Sequence, residues 1–259
     1  MLPTPTPKAP RVWAIADLHL STAAHDPRER FAGRWGEHAD RIEREWRKVV
    51  GRQDLVLLPG DLSMARGHKD LQPDLAWLDR LPGLKVMSPG NHDRWFNKVE
   101  AVRPMLRRSL RAVCGDAVEA AGAIVCGALG APVPADDPEP NPSAVAALDR
   151  QLAALDRALA HAATLRTAGQ PLYVLWHYPP FDQFRRPGPV VDRLRAAGVD
   201  ACVYGHLHIE GQWSLAVQGV VDGVRYHLVA ADAVGFRPLD LGPIPGEGKP
   251  PLDVRSVIN

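Results

Sequence analysis

Five short stretches of this sequence close apolar runs with side chains that bind metal ions or move protons. They are "DLH" (Asp17, His19), "GD" (Asp61), "GNHD" (Asn91, His92, Asp93), the histidine of "LWHYPP" (His177) and "GHLH" (His206, His208). Five of the ten histidines fall in them. One histidine after a strand is ordinarily a surface residue or a satisfied core residue, but five strand ends that all carry ligand-type groups do not agree by chance. Asp-x-His and His-x-His each place two side chains on the same side of an extended chain. No cysteine takes part, so the donors are all nitrogen and oxygen, a set suited to manganese, iron or zinc rather than to a thiolate site. An aspartate can bridge two such ions, and a pair about 3.5–4 Å apart clamps an in-line displacement at phosphorus. In "SPGNHD" a tight turn accounts for Pro89, Gly90 and Asn91; it leaves His92 unexplained.

The elements behind these tips read as a layered α/β fold. Val12–Ala16, "DLVLLP" and "LKVM" are apolar runs of strand length, each ending in a polar tip. Between them, Ile42, Trp46, Val49 and Val50 recur at helical spacing, and Leu75, Leu78 and Leu81 mark one face of a second helix. Strand, tip and helix repeated in this way predict parallel strands. Residues 112–129 read as a meander of small strands with glycine turns, and "APVPADDPEPNP" as a proline-rich acidic loop. Ser143 is then expected to cap a long helix running to about Thr167, with Leu148, Leu152, Leu155 and Leu159 on its buried stripe. "PLYVLW" and "DACVY" supply two further strands around a helical "PVVDRLRAAG", and Asp222-Gly223 turns a final hairpin that includes His227.

Composition bounds the rest. At 259 residues with 46% hydrophobic content, the chain can bury its own core. The expectation is one domain over residues 11–259 behind a flexible proline-rich arm at 1–10. A net charge of +1 argues against a nucleic-acid-coating or membrane-surface protein. Cys114, Cys126 and Cys202 sit in apolar contexts without C-x-x-C spacing and read as reduced, buried thiols. The N-terminal residues have no apolar stretch of the secretory kind, and no apolar run approaches the roughly 20 residues that cross a bilayer. Cytoplasmic localisation without an obligate protein partner is therefore expected.

Taken in order, D-x-H, GD, GNHD, H and GHLH resemble the motifs of the calcineurin-like metallophosphoesterase superfamily, from Asp17 to His208. The resemblance implies a four-layer αββα sandwich, two facing mixed β-sheets flanked by helices. It implies one metal held by Asp17, His19, Asp61 and His208, and a second held by Asp61, Asn91, His177 and His206, with Asp61 bridging. It further implies in-line attack by a metal-bridging hydroxide, with His92 donating a proton to the leaving oxygen. Manganese is the expected ion, with iron, zinc, nickel or cobalt as alternatives.

The serine/threonine protein phosphatases of that superfamily carry GDxxDRG and GNHE, whereas "GDLSMARG" places Met64 and Ala65 at the second Asp and the Arg. The chain is more similar to a group of bacterial predicted phosphohydrolases. Two divalent ions, two carboxylates and a hydroxide leave a formal charge of about +1, which matches a diester monoanion. A phosphodiester is therefore the first expectation, a phosphomonoesterase or nucleotide phosphatase the alternative. A non-catalytic binding module is disfavoured because every ligand position is filled.

Around the tips, Arg66 and Arg94 are candidate phosphate contacts, weighed against simple solvated arginines. Trp95 and Phe96 are expected to start a helix and pack it on the sheet. His25 and His38 are expected to face solvent. Tyr178, Phe181, Phe184, Arg185 and Arg186 form an aromatic and basic mix that suits a nucleotide-like substrate or, equally, a rigid proline loop with exposed charges.

Overall fold

Alternation along single strands determines the architecture. In β1 (Arg11–Ala14), Val12 and Ala14 face one apolar cluster while Trp13, with Ile15 beyond the strand, faces another. After α1 (His38–Val49), β2 (Leu55–Pro59) repeats the division: Leu55 and Leu57 point one way, Val56 and Leu58 the other. α2 (His68–Arg80) and β3 (Leu84–Ser88) follow. Strands apolar on both faces must be covered on both, and this is the signature of a buried parallel sheet.

A computed structural model describes residues 9–22, 35–135, 141–208 and 210–244. After β3 come α3 (Val99–Val102), β4 (Leu110–Ala112), β5 (Asp116–Ala120), β6 (Ala123–Ala128) and α4 (Pro142–Leu165). The chain continues through β7 (Leu172–Trp176), α5 (Pro189–Ala196), β8 (Ala201–Tyr204) and α6 (Glu210–Trp213). It closes with β9 (Gly219–Val221), β10 (Val224–Leu228) and β11 (Leu239–Pro243). One sheet has the order β11-β1-β2-β3-β4, the other β5-β6-β7-β8-β10-β9. β1 to β4 run parallel, as do β6, β7, β8 and β10, while β5, β9 and β11 pair antiparallel.

The sheets face each other across Val12, Ala14, Leu57, Val125, Leu175 and Val203. α1 and α2 cover the outer face of the first sheet through Ile42, Trp46, Leu71, Leu75 and Leu78. α4 and α5 cover the second through Leu148, Leu152, Leu155, Val190 and Leu194, with Leu159 half-buried beside them. The four-layer αββα sandwich expected from the motifs is the fold observed. Among the described residues no helix is long and apolar enough to cross a membrane.

Several local expectations change. α4 is capped by Asn141, whose side chain accepts the Ser143 N–H at 3.0 Å, because Pro142 occupies the first turn and moves the cap one residue upstream of it. The expected meander is a single hairpin, β5–β6, that enters the second sheet, while the preceding β4 belongs to the first. Trp95 and Phe96 are buried but lie in a turn, and the helix begins only at Val99. β11, bracketed by prolines and half exposed, was not foreseen; it pairs with β1 through a bulge at Val12/Trp13. The Asp222–Gly223 turn and His227 within β10 are as expected. All three cysteines are free, Cys126 and Cys202 buried and Cys114 half-buried. Residues 1–8 and His25 lie outside the described residues.

Candidate metal centre

The tips of β1, β2, β3, β7 and β8 converge at the strand ends, as the topology of parallel sheets requires of a ligand site. Backbone hydrogen bonds zip the first two tips together: Asp17 N–H to Gly60 O (2.9 Å), His19 N–H to Asp61 O (3.0 Å) and Leu20 N–H to Leu62 O (2.9 Å). Asp17 also links the sheets, because its carboxylate accepts the His206 N–H at 3.1 Å. Asp17, His19, Asp61 and His206 all adopt positive φ (58°, 42°, 53° and 72°). For residues with a Cβ that conformation costs about 1–2 kcal/mol each, and it persists only where the surroundings enforce it.

Those surroundings leave no room to relax. A Cβ on Gly90 would stand 2.1 Å from Asp61 Oδ1, and one on Gly205 would stand 2.1 Å from Asp17 Oδ2. The glycines of "PGNHD" and "YGHLH" are therefore where the backbone passes against the two carboxylates.

Two side-chain groups result. In the first, ligand atoms of Asp17, His19, Asp61 and His208 all lie within 4.8 Å of one another, a grouping that could hold a metal ion. His19 Nε2 is 3.2 Å from His208 Nε2, which is 3.1 Å from Asp17 Oδ1. In the second, Asn91 Oδ1 lies 2.9 Å from His177 Nε2 and 3.0 Å from His206 Nδ1. Asp61 stands between them. Its Oδ1 accepts the His92 N–H at 2.8 Å, while its Oδ2 lies 3.4 Å from His177 Nε2 and 3.9 Å from His19 Nε2. That Oδ2 is buried and makes no hydrogen bond among the described residues. Without an ion its charge is met by the His177 imidazole at 3.4 Å, and nitrogen and oxygen donors gathered in this way fit divalent ions.

Further contacts aim the rings. His177 Nδ1 lies 3.0 Å from Pro59 O, so it carries the proton and leaves Nε2 free to face Asp61. His208 Nδ1 lies 3.5 Å from the buried Asp232. Trp35 packs against both His19 and His208, with ring centroids 5.7 Å away in each case. Neither Asp232 nor Trp35 belongs to a motif, and sequence reasoning missed both. His38 is a correction: it is buried, not solvent-facing, with Nε2 2.9 Å from Leu18 O and its ring against Trp35.

Asp93 holds two tips in register. Its Oδ1 accepts the N–H groups of Leu62 (2.9 Å) and Ser63 (3.0 Å) and the Trp95 indole N–H (3.1 Å), and its Oδ2 accepts the Gly90 N–H (2.9 Å). All its capacity is spent on these donors, so it does not orient the His92 ring. That ring is exposed, 5.4 Å from the His19 ring, with no hydrogen bond among the described residues.

The charges balance locally. Burial alone would raise the Asp17 and Asp61 carboxyls, but His208 beside Asp17 and His177 beside Asp61 outweigh it and both shift down. Burial pushes the His19 and His206 imidazoles down to about 4. At His177 and His208 burial acts in the same direction, yet Asp61 and Asp17 overcome it and lift them to about 9 and about 10. Burial, with Asp61 adding to it, raises the Tyr178 phenol, which stays a neutral donor.

Of the candidate substrate contacts, only Tyr178 is assembled with the cluster, its ring 4.3 Å from that of His206. Arg66 and Arg94 are exposed, and no side-chain contact joins them to it among the described residues. Arg186 binds Asp182 and stacks on the exposed Phe184, while Phe181 is buried against Tyr226.

A four-layer sandwich with nitrogen and oxygen ligands gathered at its strand ends is the metallophosphoesterase type of fold. The comparison with known families agrees: residues 10–210 match the calcineurin-like phosphoesterases, and the chain belongs to that family. The Gene 66 protein of Mycobacterium phage D29 is 35% identical over 83 residues, and that of phage L5 is 31% identical over 81. Those stretches cover 32% and 31% of this chain, and only 40% and 39% of the phage proteins. The crystal structure of phosphopantetheinyl hydrolase from Mycobacterium tuberculosis superposes with a TM-score of 0.52 at 17% identity, covering 94% of this chain and 99% of that one, and so shares the fold.

Proposed function

We propose that this chain hydrolyses phosphate esters, diesters first, using two divalent ions. Asp17, His19, Asp61 and His208 would hold one, and Asp61, Asn91, His177 and His206 the other. The single observation that carries the reading is Asp61 Oδ2, buried and without a hydrogen bond between His19 Nε2 at 3.9 Å and His177 Nε2 at 3.4 Å. Bound ions, with manganese the first choice, would supply Lewis acidity toward the phosphate oxygens and a water that ionises near neutral pH.

The chain's own residues do the rest. With ions bound, His177 and His208 would each give up the extra proton they otherwise hold. The four imidazoles and one amide would then be neutral donors, and Asp17 and Asp61 would cancel only part of the centre's charge, which favours an anionic ester. The His92 N–H fixes Asp61 Oδ1, so the other oxygen keeps its aim. As the water oxygen bonds to phosphorus, the ester P–O bond breaks. The exposed His92 ring gives a proton to the departing oxygen.

The test compares hydrolysis of methyl p-nitrophenyl phosphate and p-nitrophenyl phosphate by manganese-loaded protein. A higher kcat/KM for the diester is expected; a strong monoester preference would reverse the diester assignment and leave the metal centre in place.

A further inference from the structure

A cavity of about 380 Å³ opens beside the second side-chain group, with His206 itself in its wall. Tyr178 forms the seam, its ring against His206 at 4.3 Å on one side and facing the cavity on the other. The volume lies in the range of small-ligand clefts, about 300–1,000 Å³.

The wall chemistry is selective. Val133 and Pro134 come from the loop after β6, Phe181 from the loop after β7, and Leu207 and Leu215 from beyond β8. Leu215 is 54% exposed, so a ligand lying on it would bury apolar area. The polar contributions are neutral: Gln183, Gln212 and the Tyr178 hydroxyl. No lysine or arginine lines the cavity among the described residues. Its one carboxylate, Asp182, is already engaged by the N–H groups of Phe184 (2.9 Å) and Arg186 (2.8 Å) and by Arg186 Nε (2.7 Å).

Beyond the metal centre, a polyphosphate or nucleic-acid strand would meet no lysine or arginine of the described lining and would face Asp182, so burying its charge here would be costly. An uncharged chain of carbon atoms with an amide or hydroxyl would bury apolar area and meet the two glutamines. Resting on the phosphoesterase reading, we infer that this cavity binds the neutral, largely apolar organic arm of the ester. The enzyme thereby selects phosphoesters with an uncharged, largely apolar arm over esters that carry a further phosphate or a nucleic-acid strand.

The test uses a neutral arm alcohol, N-(3-hydroxypropyl)pentanamide, and its p-nitrophenyl phosphodiester, with methyl p-nitrophenyl phosphate as the armless control. Ligand-observed NMR on zinc-loaded protein measures binding of the alcohol without turnover. Saturable binding is expected, weakened about tenfold by Leu215→Glu and kept by Leu215→Met. In kinetics, Leu215→Glu should raise KM about tenfold for the armed ester at nearly constant kcat, and leave the methyl ester unchanged. Because Leu215 lies half in solvent, the substitution spares the core.

Failure of the alcohol to bind, or equal binding by wild type and Leu215→Glu, overturns the inference even if both esters are hydrolysed. Leu215-dependent binding with no hydrolysis of either ester supports the arm site and refutes the hydrolytic reading instead.

Discussion

Asp93 Oδ1 accepts the backbone N–H of Leu62 at 2.9 Å, so the tip of β3 holds the tip of β2 at the residue next to Asp61. With Ser63, Trp95 and Gly90 as its other donors, this one buried carboxylate fixes the backbone on both sides of the centre. Asp93→Asn would set an NH₂ group against an N–H donor. We expect a loss of about 2–3 kcal/mol, or roughly 5–10 °C in Tm, with weakened metal retention. A Tm within about 1 °C of wild type, read by calorimetry, would mean that the latch contributes little.

The two close-approach glycines give a sharper test of geometry. Gly90→Ala and Gly205→Ala each drive a methyl group into a site carboxylate at 2.1 Å, whereas Gly211→Ala meets open space. Turnover should fall by about 100-fold or more in the first two, as expected when reacting groups are displaced by an ångström, with metal content below that of wild type. The third should match wild type. Retention of metal and rate by Gly90→Ala would show that the tip tolerates displacement.

His92→Ala separates proton donation from metal binding. The ring is exposed and unbonded, so metal content and folding should be unchanged while kcat drops by about 10²–10³-fold, most for poor leaving groups. Loss of metal on elemental analysis would instead make His92 a ligand.

A pH effect comes from beneath the same tip. Lys85 on β3 is buried, and burial, partly offset by Asp79, brings its ammonium down to about 8 from its ordinary 10.5. A lysine depressed in the folded state binds fewer protons there than in the unfolded chain between those values. Stability from this residue therefore rises with pH across that window, and below pH 8 its cost is fully present. Relative to Lys85→Met, wild type should gain about 2 kcal/mol between pH 7 and pH 10 in urea unfolding. A constant difference would contradict the shift.

Much of this was legible in the sequence because the chemistry and the alternation coincide. Strand ends rich in Asp, His and Asn follow apolar runs, so "DLH" and "GNHD" marked both the elements and the site. What stayed hidden depends on distant neighbours. Asp93 had no role assignable from its neighbours in sequence, since its partners Leu62 and Ser63 lie in the tip of β2. Asp232 and Trp35 reach the histidines only through the fold. His38 read as polar and exposed because nothing local announces that Leu18 O will meet it at 2.9 Å. β11 was hidden by its prolines and glycines, which are tolerated on an antiparallel edge. Asn141 took the cap expected of Ser143 because Pro142 suits the first helical position.

The bridging role proposed for Asp61 sets how many ions the centre holds. Metal stoichiometry by elemental analysis, on wild type and Asp61→Asn equilibrated with manganese and assayed with the methyl p-nitrophenyl diester, tests it most directly. Two equivalents and turnover are expected for wild type, and at most one equivalent with no measurable turnover for Asp61→Asn. Asp61→Asn protein that keeps two equivalents and the wild-type rate would contradict it.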